Sequence, residues 1–119
     1  MKKIIIVLVV VFFTVTACEA VFIEDISNKK VSLIAPSSEI ELLNGEINFN
    51  WNSIEDAESY QIQIITPNFE NSLQILLDTI IDKTVFKKEL IVIGEYEWRV
   101  KAMNSEYHTG FTTSAFSIK

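Results

Sequence analysis

From Gly94 to Ala102 the chain alternates without a break, Tyr96, Trp98, Val100 and Ala102 set against Glu95, Glu97, Arg99 and Lys101. A period of two belongs to a strand, whose successive side chains leave opposite faces; a helix would scatter these residues around its surface. The same period recurs in Glu46–Trp51, where Ile47, Phe49 and Trp51 share a face, and in Tyr60–Ile64. Val31–Ala35 is a shorter apolar piece stopped by Pro36, Asn44-Gly45 is a turn signal, and Ala115–Ile118 reads as a closing strand. Leu73–Ile81 suits a strand or one face of a helix; we read it as a strand whose short partner is Thr84–Lys88. About seven strands with no convincing amphipathic helix predict an all-β domain over residues 31–119, a seven-stranded antiparallel β-sandwich.

The amino terminus follows a different pattern. Met1-Lys2-Lys3 is a basic start, Ile4–Phe13 an unbroken apolar run of ten residues, and Thr14–Ala17 a small-residue exit. That is the layout of a signal peptide, and the run is short of the roughly 20 residues that span a bilayer. The alternative is a short transmembrane anchor kept in the mature chain. Fourteen of the first 18 residues are hydrophobic, which accounts for much of the 49% hydrophobic content of the whole. Without them the charge moves from -6 to eight basic against 16 acidic side chains, or -8. Such a balance argues against a nucleic-acid partner, because phosphate neutralisation needs clustered Lys and Arg.

Val15-Thr16-Ala17-Cys18 resembles the lipobox of bacterial lipoprotein signal peptides, and Cys18 is the chain's only cysteine. The resemblance implies removal of residues 1–17, a diacylglycerol on the Cys18 thiol and acylation of the new amino terminus. Several acyl chains make a stable anchor where one is marginal. The expected partner is therefore a membrane, reached through lipid on Cys18, in the envelope of a bacterium and by our reading its outer membrane. Residues 18–30 read as the lipidated end and tether. Glu19, Glu24 and Asp25 resemble the acidic surface-export signal of some lipoproteins, or are incidental charge on a solvated tether. Val21, Phe22, Ile23 and Ile26 have no sustained period and could pack at the membrane interface.

Within the domain, Phe49-Asn50-Trp51, Ala57–Ile64 and Gly94–Ser105 together resemble the fibronectin type III module, an immunoglobulin-like fold. Trp51 falls at that family's second-strand tryptophan, Tyr60-x-Ile62 at the third strand, and Tyr96 at the tyrosine corner with Leu90 six residues before it. Val92 stands where many members have Pro, and Phe111 about where many bacterial members have Trp. Lipobox, tether and sandwich in series also resemble the amino-terminal part of outer-membrane glycan-utilisation lipoproteins.

Chemistry is sparse. The only histidine, His108, has no cysteine nearby to build a usual zinc set, and no metal or cofactor is expected. No nucleophile elbow is present, the carboxylates of Glu55-Asp56-x-Glu58 and Glu95-x-Glu97 read as solvated charge, and the three glycines stand apart, so no phosphate loop exists. We expect no enzyme. Tyr107, His108 and Phe111 are the candidate ligand-binding residues, on a loop at one end of the sandwich. The competing assignment has Phe111 capping the core and Tyr107 half buried; Phe69, beside Pro67, fits either role. Asp78-Thr79-Ile80 resembles a short O-glycosylation sequon, a motif also common by chance. The expected function is a membrane-displayed, non-catalytic binding, adhesion or assembly module with a protein or glycan partner. The alternative is an accessory glycan-binding lipoprotein of a polysaccharide-uptake system.

Overall fold

The computed structural model describes residues 22–119, so the stretch read as a signal peptide, Cys18 and residues 19–21 lie outside the described residues. Eight strands follow one another: β1 (Leu33–Ala35), β2 (Ile40–Leu42), β3 (Gly45–Trp51), β4 (Ser59–Thr66), β5 (Gln74–Ile81), β6 (Val85–Leu90), β7 (Gly94–Met103) and β8 (Thr112–Ile118). They form a three-stranded sheet in the order β1-β3-β6 and a five-stranded sheet in the order β2-β8-β7-β4-β5. The sandwich expected from the alternation is present.

The inward residues of the two sheets make one core. Phe49 and Trp51 of β3 meet Tyr60, Ile62 and Ile64 of β4 and Tyr96, Trp98 and Val100 of β7. Ring contacts run through its centre, with Phe49 5.1 Å from Trp98 in an edge-on arrangement and Trp51 5.8 Å from Tyr60. Edge-to-face geometry suits the ring quadrupoles and adds to the apolar burial. Gly45 opens β3 at a φ of 132°, a conformation that L side chains rarely adopt, which accounts for the glycine of the Asn44-Gly45 turn.

Three features depart from the sequence reading. Residues 36–44, expected as connection, include β2, which pairs in parallel with β8 (Ile40 opposite Phe116, Leu42 opposite Ile118). A three-residue strand is too short to show a period. Leu73–Ile81 is a strand, but its neighbour is β4, whereas β6 pairs with β3 in the other sheet. The expected hairpin of Leu73–Ile81 with Thr84–Lys88 is therefore incorrect. Residues 82–84 carry the chain from one sheet to the other, which lets Leu90 join the core from the three-stranded side. Finally, Ile26 is 0% exposed and belongs to the core cluster. Asn104 Nδ2 donates to the Glu24 carbonyl at 2.9 Å and Lys29 Nζ to the Glu55 carbonyl at 3.2 Å. Packing thus extends upstream of Val31, into the segment read as tether.

The tyrosine corner is formed. Tyr96 is buried and its hydroxyl donates to the Val92 carbonyl at 2.6 Å. Tyr96→Phe deletes that bond and is expected to lower stability by about 1 kcal/mol, measured by urea unfolding. Burial disfavours the phenolate, so Tyr96 ionises above its ordinary value. In the alkaline range the unfolded chain therefore loses this proton first. The contribution is complete below about pH 10 and declines as pH rises through the folded-state value. The gap between wild type and Tyr96→Phe should narrow over that range; a gap that widens would contradict the assignment.

Candidate functional site

The outer face of the five-stranded sheet is built from the polar half of each alternation. In register across three strands lie Arg99 of β7, Gln63 of β4 and Asp78 of β5. Arg99 Nε donates to Gln63 Oε1 at 2.6 Å, and the Gln63 amide donates in turn to Asp78 Oδ2 at 3.1 Å. Gln61 Nε2 reaches the other oxygen, Asp78 Oδ1, at 2.8 Å. Both carboxylate oxygens of Asp78 therefore hold amides of the neighbouring strand.

Two rings from elsewhere in the chain close over the arginine. Phe69, from the turn between β4 and β5, has its ring centroid 3.9 Å from the guanidinium carbon, and Phe111, just before β8, has its own at 4.2 Å. Lys101 Nζ lies 4.9 Å from the Phe111 centroid. The Phe69 turn is held by its own amide, which donates to Glu97 Oε1 at 2.7 Å, and by Asn68 Oδ1, which accepts from Asn71 N at 2.8 Å. Beside the arginine is a shallow cleft of about 160 Å³ lined by Gln63, Ile65, Phe69, Ser72, Ile75 and Asp78.

The three residues singled out from sequence do not share one surface. Tyr107 packs against the core, while Phe111 lies over Arg99 and Lys101 on the opposite, outer side of the sheet. Phe111 is thus neither a core cap nor a freely exposed ring. His108 is exposed, and its Nδ1 lies 2.8 Å from the Thr109 carbonyl. The loop is organised instead by Asn104, whose Oδ1 accepts from the amides of Glu106 and Tyr107, and by fully buried Thr109, whose Oγ1 accepts from Ala102 N at 3.0 Å. Thr79 of the sequon-like Asp78-Thr79-Ile80 sits half-buried within β5.

Comparison with a solved structure bears on the fold. The chain is similar to FN3tt, with a TM-score of 0.53 and 13% identity over 75% of this chain and 95% of that one. The fold is fibronectin type III-like. The fibronectin type III domain of human fibronectin type III domain containing protein 3 is also similar (TM-score 0.45, 12% identity, 87% of this chain and 94% of that one). So are domains d3-d4 of the rat CD45 extracellular region (TM-score 0.49, 11% identity, 86% and 71%). No family model matches the chain, and no curated protein does. At these identities the likeness is one of fold. In this fibronectin type III-like sandwich, Trp51 and Tyr96, which carried the resemblance, hold core positions, whereas the arginine clamp lies on the outside.

Sequence reasoning passed over that clamp because Arg99, Gln61 and Gln63 looked like the solvated half of an alternating strand. One signal could have found it: Arg99 is the only arginine in a chain with 16 acidic residues. Among the described residues no group of three or more His, Cys, Asp or Glu side chains could hold a metal ion, and no helix is long and apolar enough to cross a membrane.

Proposed function

We propose that this chain is a bacterial lipoprotein, anchored in the outer membrane through lipid on Cys18, that displays a non-catalytic binding module. Its recognition surface is the outer face of the five-stranded sheet. The observation that carries this reading is the fixed array of Phe69, Arg99, Phe111, Gln63 and Asp78, whose side chains are oriented before any ligand arrives. Preorganised polar groups bind with a smaller entropic cost than mobile ones. An accessory glycan role would favour ring faces free to stack on sugar. Phe69 and Phe111 stack on Arg99 instead, and Tyr107 packs inward, which supports the general binding module over that alternative.

Two measurements test the reading. Cys18→Ser should abolish metabolic labelling with palmitate and leave the precursor unprocessed; unchanged labelling and processing would refute the anchor. A photo-crosslinking residue at Thr113, beside Arg99 on the outer face, should give a discrete adduct in intact cells. The same probe at Asn48, on the exposed face of the three-stranded sheet, should not. Equal adducts from both positions would remove the outer face as the recognition surface.

A further inference from the structure

We propose that Arg99 is the anchor of a carboxylate-binding site, and that its ligand is an acidic side chain of an extended peptide segment. The inference rests on the binding-module reading and names the chemistry of its face. The chain has one arginine and 16 acidic side chains, yet the three ion pairs among the described residues are Lys29–Asp56, Lys87–Glu46 and Lys119–Glu41. The guanidinium is packed against two rings and held at Nε by Gln63, and its Nη edge has no hydrogen-bond acceptor among the described residues. The nearby carboxylates are engaged elsewhere, Asp78 with two glutamine amides and Glu97 with the Phe69 amide.

A guanidinium held in this way presents a planar donor fork, the geometry that matches a carboxylate. The rings shield it from water, so a charge-assisted hydrogen bond formed there is stronger than one in bulk solvent. Lys101 adds a second cation over the Phe111 ring, and the cleft beside the guanidinium is lined by Ile65, Ile75 and Phe69 together with Gln63, Ser72 and Asp78, whose carboxylate is turned to the glutamine amides. The acidic balance of the domain repels polyanions, which favours a ligand with one carboxylate over phosphate chains. The clamp occupies the ring faces that would stack on sugar and leaves aliphatic wall. An acidic residue flanked by aliphatic ones fits better than a uronic acid.

The single arginine makes the test direct, since the full chain gives one arginine Nε–H resonance. That signal is followed during titration with acetyl-Ile-Glu-Ile-amide, its Gln counterpart and D-galacturonate. The Glu peptide should shift it saturably, and the Gln peptide should bind on the order of tenfold more weakly or worse. Arg99→Lys keeps the charge but loses the fork; because it also removes the arginine resonance, its binding is compared with wild type by isothermal titration calorimetry, and it should be weaker by a similar factor at an unchanged melting temperature. Should that variant fail to fold, Phe69→Leu, which opens one side of the clamp, is expected to weaken binding in the same direction. No saturable shift, or equal shifts from the Glu and Gln peptides, overturns the site. Tighter binding of galacturonate overturns the peptide assignment. A Thr113 crosslink that persists unchanged in Arg99→Lys sinks the carboxylate inference and leaves the binding module standing. Loss of all crosslinks at Thr113 in the wild type sinks the module itself.

Discussion

Trp98→Ala is expected to lower folding stability by about 3–5 kcal/mol, the largest effect of any single truncation considered for this domain. Trp98 is 0% exposed and touches both sheets, with Phe49 5.1 Å away and Trp51 6.3 Å away. Removing the indole deletes a large apolar contact area and leaves a cavity that rings held by their own strands fill only in part. Small domains have only about 5–15 kcal/mol in total, so the variant should be partly unfolded at 37 °C. Trp98→Phe tests the mechanism. The indole N–H has no acceptor among the described residues, and phenylalanine removes that unsatisfied donor while keeping a ring against Phe49. Its loss should be less than half that of the alanine variant in urea unfolding followed by tryptophan fluorescence. Equal losses would mean that the indole N–H is better accommodated than the geometry indicates.

The second large effect concerns the chain upstream of Val31. A chain beginning at Val31 loses the buried Ile26 side chain and the bond from Asn104 to the Glu24 carbonyl. Ile26→Ala alone is expected to cost about 2–4 kcal/mol, as buried isoleucines do. For a domain of this size each kcal/mol moves the melting temperature by about 4–8 °C. The truncated chain should therefore melt more than about 10 °C below one beginning at Phe22. Phe22, 82% exposed, should be dispensable by the same assay. Equal melting temperatures for the two chains would show that Ile26 packs without stabilising.

The parts of the fold that were legible in advance are those with a local signature. Gly94–Ala102, Glu46–Trp51 and Tyr60–Ile64 each carry their period within one stretch, and each became a strand with the expected inward face. The Tyr96 corner was legible only through the resemblance to the fibronectin type III module; the bond itself is local, reaching back four residues to Val92. Ile26 was not, since a single buried side chain in irregular structure has no period to betray it. The clamp was hidden for a related reason. Phe69, Arg99 and Phe111 lie far apart in the chain, and an outward-facing arginine in an alternating strand is ordinarily solvated.

The sequence by itself determined the long alternating strands, which face of each is apolar, and that no disulfide within the chain closes the domain; the three-residue β2 was beyond it. These are properties of neighbouring residues and of a backbone whose side chains alternate. Only the tertiary structure decided which strands are partners. It sent β5 to β4 and β6 to β3, because pairing depends on contacts between distant segments. The same long-range packing folded two phenylalanines over the one arginine, turning a stretch of polar alternation into an ordered cluster around a single guanidinium.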